Sequence, residues 1–373
     1  MTRVRAVGLA VAMLAALAAI AWISPDPNRV TDRGTYEASA AQVIVPDCSD
    51  LQCFRVLVPW VLGRLPGSSI VRWKAYAVAA NAAAAAGVWL LCVTLGFGGR
   101  AAGLAAALSA FGFGSLYTLH DPFTADPLMF ALGPFMTSEL VAGRLGIAAV
   151  AGVVGVLAKE FAAAPLYAFA LDQVAARQWT PALGAFAAGN AAFLTWALLT
   201  LTLMIGFGYS WGWNGVGSAD LTGGAALALW AGRQSLRGIV FAMFNEFGAL
   251  YVLAPVGVAL APRRVRRLLV ASLPIAVVFA YVQQPDRGLW NFHYLVTPLA
   301  ALVLERVQPA LAWSVIGLFA VGNLRVGAQL PIATIAHAAI AASVILAAAG
   351  AATVLHASFG RANGGVTLGA AAR

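Results

Sequence analysis

The sequence predicts an all-α, polytopic transmembrane helical bundle, and three observations carry that prediction. Of 373 residues, 61% are hydrophobic and only 10% charged, at a mean hydropathy of +0.84, a balance that water-soluble domains do not show. Stretches of Ala, Leu, Val and Gly run for about 15 to 25 residues, the length an α-helix needs to cross about 30 Å of hydrocarbon. No ten-residue alternation of apolar and polar residues occurs, which excludes a barrel. The net charge of +9 is scattered over short inter-helix turns. Cytoplasmic retention of Lys and Arg explains it, and no nucleic-acid partner is expected.

Taken in order, Arg3 and Arg5 precede an apolar run read as an uncleaved first helix over 7–23, because Trp22 and Pro25 follow without a small-x-small cleavage site. A polar outer loop follows over 24–53, where Cys48 and Cys53 flank the peptide CSDLQC and a local disulfide is expected. FRVLVPWVLGRLP, 54–66, is too short to span and too apolar to float free, and is read as an interfacial or re-entrant helix. Helices then fit 74–95, 101–118, 127–142, 145–158, 161–174, 182–206, 238–260, 268–282, 293–304, 309–323 and 332–356. That makes about twelve spans in a single transmembrane domain, 1–356, with a disordered cytoplasmic tail over 357–373 and both termini cytoplasmic.

Charge asymmetry tests this threading independently. The turns counted as cytoplasmic hold Arg100, Arg144, Arg177, the run PRRVRR at 262–267, and Arg306. The outer segments hold Asp26, Asp32, Glu37, Asp47, Asp50, Asp121, Asp126, Glu160, Asp220 and Asp286, ten of the fourteen acids. Arg55, Arg64, Arg72 and Lys74 run against the pattern on the outer side. The block 145–171 contains Lys159 and Glu160 in an otherwise uncharged stretch. As one helix it would place both charges at mid-bilayer, at a cost of about 2.5 to 3.5 kcal/mol each. Two short helices meeting at the outer face avoid that cost.

Four polar constellations interrupt the apolar chain, all on the predicted outer face. TDRGTYEASA supplies Asp32, Tyr36 and Glu37; a carboxylate at a membrane surface can take a proton from an attacking hydroxyl, and can equally be part of a solvated loop. HDPFTADP supplies His120, Asp121 and Asp126, which could hold a divalent cation or orient a sugar; helix capping explains Asp126 well and Asp121 less well. Lys159 and Glu160 could meet a phosphate, or mark a helix end by snorkelling. QQPDRGLWNFHY supplies Asp286, Arg287, Trp290, His293 and Tyr294, with Arg287 suited to bidentate phosphate recognition and the aromatics to an interfacial belt or a sugar-stacking surface. Trp211 and Trp213 sit in a glycine-rich loop, where stacking on a sugar and anchoring at the interface are both open. No Walker motif, dinucleotide fingerprint, HExxH or Cys/His metal spacing occurs, which removes support for ATP-driven transport and zinc hydrolysis.

Taken together, these residues resemble the GT-C superfamily of integral-membrane glycosyltransferases, especially its bacterial members. The likeness is an order of features over about residues 7–306: Asp32 and Tyr36 after the first helix, Arg55, Leu57 and Pro59, then Asp126 and Pro127, Lys159 and Glu160, Phe247 and Gly248, and Asp286 and Arg287. The resemblance implies a GT-C-like bundle in the bacterial inner membrane. It further implies transfer of a sugar from a polyprenyl-phosphate donor to a lipid, glycan or protein acceptor on the extracytoplasmic face. Asp32 would then be the general base, and Arg287 and Lys159 the candidates for the donor phosphate. Tyr36, Arg55, His120, Asp121, Asp126, Glu160, Trp211, Asp286 and His293 complete the expected substrate-binding set. Some members use a divalent cation, Mg or Mn, and others none, so Asp121 and Asp126 stay undecided as metal ligands. The sequence departs from better-known members in lacking an adjacent acidic pair in the first outer loop, where Asp32 stands beside Arg33. A transporter or lipid flippase is the alternative, weakened by the absence of an internal repeat and by acids gathered at one face. A non-catalytic scaffold of the cell envelope is the third.

Overall fold

The computed structural model describes residues 3–25, 30–210, 246–282, 285–324 and 333–364, together with the single positions 237, 240 and 244. Among the described residues 82% are helical and none forms a strand. Among them, four helical stretches are by length and composition able to cross a membrane: Ser69–Thr94, Gly99–His120, Trp179–Phe207 and Ile335–Ala357. Five shorter apolar helices accompany them, including Val7–Ile23 and Leu145–Val156.

Helix α1 is Arg3–Ile23, and the polar segment after it is not simply a loop, since α2 forms over Val30–Gln42. Tyr36, Ser39 and Ala40 are buried along one side of α2 at three- and four-residue spacing, an amphipathic stripe too polar to register as apolar periodicity. A 3-10 turn, Leu51–Phe54, leads to α3, Leu57–Leu62, the short outer helix expected near 54–66. Arg72 ends this excursion by donating to the Leu62 and Leu65 carbonyls at 2.8 and 3.1 Å.

The central layer is α4, Ser69–Thr94, packed between α5, Gly99–Ala110, and α7, Asp126–Val141. Small residues such as Ala84, Ala102 and Ala105 line the contacts and let the helices approach closely. The predicted helix 101–118 is interrupted before α6, Phe113–His120. Gly112 and Gly114 lie against the Trp290 ring there, and a Cβ at either would overlap it.

Next come α8, Leu145–Val156, a 3-10 turn at Glu160–Ala163, and α9, Ala164–Ala175. The long block is thus two short helices, broken where Lys159 adopts an extended φ of −158°. Helix α7 rises about 24 Å, and α8 and α9 about 18 Å each. This zigzag returns Lys159 to the end of α7 that carries Asp126, and sends Asp172 back to the end that carries Glu139. Helix α10, Trp179–Phe207, packs on α8 and α9 and exposes Leu183, Leu198 and Ile205 outward.

The rest comprises α11, Leu250–Leu260; α12, Arg263–Val282; α13, Pro285–Trp290; α14, His293–Leu304; α15, Pro309–Asn323; and α16, Ala333–Gly364. Helix α14 packs on α5 and α11, while α15 pairs with α16, which continues helically past residue 356.

Candidate functional site

At the end of the bundle where α8 turns into α9, four separate segments bring their charges together. Asp32 and Tyr36 stand one turn apart on α2. Arg55 follows the 3-10 turn, and a hydrogen bond from the Leu57 amide to the Leu157 carbonyl at 3.0 Å fastens this segment to the end of α8. Asp126 opens α7, and Lys159 and Glu160 form the break between α8 and α9.

Two ion pairs result. Arg55 meets Glu160 side-on, Nη2 to Oε1 at 2.7 Å and Nε to Oε2 at 3.1 Å, with side chains only 12% and 10% exposed. Lys159 Nζ pairs with Asp126 Oδ1, both side chains buried. The sequence neighbours Lys159 and Glu160 thus pair with different partners. Burial is the largest influence on the Glu160 carboxyl and would raise it; Arg55, the Lys159 charge and a backbone hydrogen bond together reverse this, and Glu160 is held below the usual carboxylate range. Burial is likewise the largest influence on Arg55 and would lower it, and Glu160 and Tyr36 together raise it instead. Tyr36 is raised by burial against the opposing pull of Arg55, and its buried hydroxyl neighbours that guanidinium without reaching hydrogen-bond geometry.

Asp32 is half-buried, and Gln52 Nε2 donates to its Oδ1 at 3.0 Å. Arg33 does not neutralise it, because Arg33 binds Glu37 at 3.2 Å and lies over the Phe123 ring at 4.8 Å. Gln52 sits between Cys48 and Cys53, which form a disulfide, and the neighbouring Asp50 accepts from Thr35 Oγ1 at 2.6 Å. Sequence reasoning missed Gln52; its place as the amide-bearing side chain inside CSDLQC was the available signal. Below the charges lies an apolar floor of Tyr36, Val58, Trp73, Phe123 and Ala158. Trp73 contacts Tyr36 and Phe123 at centroid distances of 5.2 and 5.3 Å.

The other expected residues fall elsewhere. His120 is buried beside Ser24, Nδ1 to Oγ 2.7 Å. Asp121 is half-buried and accepts from the Tyr117 hydroxyl at 3.5 Å. His293 is buried in the core, stacked on Trp290 at 5.4 Å with Nδ1 3.0 Å from the Trp290 carbonyl oxygen. Trp211, and the side chains of Asp286 and Arg287 on α13, lie outside the described residues. Among the described residues, no three His, Cys, Asp or Glu side chains gather as a metal set, and Asp126 is committed to Lys159.

No protein-family model matches the sequence, and no curated protein matches it. Among solved structures the chain is similar to the Archaeoglobus fulgidus oligosaccharyltransferase, an enzyme of the GT-C superfamily. Against the form tethered through a disulfide bond to an acceptor peptide containing the NVT sequon, identity is 16% and the TM-score 0.45, over 92% of this chain and 55% of that one. Against the apo form identity is 15% and the TM-score 0.48, over 92% and 56%. The chain spans about half the length of these structures.

Proposed function

We propose that this chain is a membrane glycosyltransferase that moves a sugar from a polyprenyl-phosphate donor to a lipid, glycan or protein acceptor at the extracytoplasmic face. One observation carries the reading: Asp32, Arg55, Asp126, Lys159 and Glu160 converge from four segments onto one end of an otherwise apolar bundle. The cluster joins a carboxylate suited to general base chemistry with two cations held in place by acids. That is the equipment for a sugar whose leaving group is a phosphate.

In this scheme Asp32, oriented by Gln52, removes the proton from an acceptor hydroxyl as its oxygen attacks the anomeric carbon. The bond from that carbon to the phosphate oxygen breaks, and polyprenyl phosphate departs with the electron pair. Lys159, held by Asp126, is the first candidate for that phosphate, and Arg287 is the second. A single displacement inverts the anomeric centre. The topology that goes with this reading has about twelve spans in the bacterial inner membrane, both termini cytoplasmic, and the α8–α9 turn outside.

The test uses purified protein, a labelled polyprenyl-phosphate sugar and a membrane acceptor. Asp32→Asn should lose turnover and still bind donor. Full activity in that variant rejects the assignment. Wild-type protein that carries labelled donor across vesicles without transferring its sugar favours a flippase instead.

A further inference from the structure

At the opposite end of the bundle from Asp126, a cavity of about 430 Å³ opens between the α7–α8 turn, the α9–α10 turn and the start of α12. Its walls are of two kinds. Leu140, Leu145 and Phe169 make one side apolar, while Gln173, Arg264 and Arg267 supply hydrogen-bond donors on the other. The donors are only partly used. Arg267 gives Nε and Nη2 to the buried Asp172 carboxylate at 2.7 and 3.2 Å, Gln173 gives Nε2 to the same carboxylate at 2.7 Å, and Arg264 gives Nη2 to the Val141 carbonyl at 2.9 Å.

The charge around the cavity is one-sided. Arg144, Arg177, Arg263, Arg264, Arg266 and Arg267 lie in or beside these turns, together with the acids Glu139 and Asp172. Six positive charges against two negative leave an excess of four. Both acids are already engaged, Glu139 by Arg144 and Asp172 by Arg267. The cavity also sits at a definite depth. Trp179, 62% exposed, follows Gln178 on its rim, and exposed Ile147 and Leu183 flank it on α8 and α10. A tryptophan between basic turns and bare aliphatic surface marks the boundary between headgroups and hydrocarbon. A soluble anion has no use for the apolar wall, whereas a lipid presents a phosphate and the start of two acyl chains together.

We propose that this cavity binds the phosphate of an anionic glycerophospholipid from the leaflet facing the basic turns. Arg264 and Arg267 contact the phosphate, Gln173 and Gln178 the polar headgroup, and the Leu140, Leu145 and Phe169 wall the upper acyl segment. The site is separate from the Asp32 cluster and stands whether or not that cluster transfers sugar.

Lipid retention by the full chain, followed by native mass spectrometry after exchange into phosphatidylglycerol or phosphatidylcholine, tests this. Wild-type protein should retain phosphatidylglycerol preferentially, and Arg264→Gln should weaken that retention about fivefold, the effect of one basic contact at a membrane surface. Arg177→Gln, which removes a charge from the same face outside the cavity lining, should weaken it clearly less than Arg264→Gln does. Equal retention of the two lipids overturns the proposal, as does an equal loss in both variants. Displacement of the lipid by millimolar inorganic phosphate would instead assign the site to a soluble anion and overturn the lipid reading.

Discussion

Arg55 and Glu160 meet through two hydrogen bonds, 2.7 and 3.1 Å, across 105 residues of sequence. Removing one partner leaves a buried charge alone, which costs about 3 kcal/mol or more. Glu160→Gln should therefore lower the unfolding midpoint markedly, and Arg55→Gln in the Glu160→Gln background should add little. A thermal unfolding series of the two singles and the double in one detergent measures this.

The same pair sets a pH dependence. Glu160 is held below the ordinary carboxylate range in the folded protein. A depressed carboxylate contributes stability that is fully present above its unfolded value, about 4.3, and is lost as pH falls through the folded value. Stability from this pair should be flat from pH 7 to 5 and decline below about 4.3, and the decline should shrink in Glu160→Gln. Unfolding midpoints across that range check it.

Lys159→Met strands the buried Asp126, and about 3 to 5 kcal/mol should be lost. Adding Asp126→Leu should restore most of the stability, since an apolar pair of similar size replaces a buried ion pair at little cost. Donor binding should fail in the double variant too, which separates the phosphate contact from the structural one. Unfolding midpoints and a donor-binding titration, run side by side, decide it.

Cys48→Ser with Cys53→Ser opens a short covalent loop, worth about 2 kcal/mol by loop entropy. Its effect should be local, because Gln52 and Asp50 inside or beside the loop hold Asp32 and Thr35 on α2. Hydrogen exchange should quicken over residues 44–56 and the start of α2 and stay unchanged in α4. A fall in sugar transfer should accompany it.

Gly114→Ala would drive a methyl group into the Trp290 ring. Overpacking of this kind costs about 1 to 3 kcal/mol. Trp290→Leu in the same chain should recover part of the loss by making room, and unfolding midpoints of the three variants test the contact.

The parts legible in the sequence were those governed by local rules. The split of 145–171 followed from the cost of Lys159 and Glu160 at mid-bilayer, and the structure breaks the helix there. Helix α2 was not legible, because its buried face uses Tyr36, Ser39 and Ala40 rather than a hydrophobic run. The break at Phe111–Gly112 depends on Trp290, far along the chain, and no local signal announces such a contact. Within the site, Asp32, Arg55, Asp126, Lys159 and Glu160 were all singled out, but their pairing was not. The pairing depends on the Leu57 amide fastening the Arg55 segment to the end of α8, a contact across a hundred residues that no local pattern announces.

Helix α8 spans twelve residues yet shows Ile147, Val150 and Val154 to its surroundings. Its apolar surface rises about 18 Å, well short of a hydrocarbon core about 30 Å thick. Lipid beside it must thin, or tilt its headgroups inward, and that deformation is stored wherever the protein sits. Bilayer thickness thereby becomes a control variable: short-chain lipids relieve the mismatch and long-chain lipids deepen it, with the turn carrying Lys159 and Glu160 at one end of the short surface.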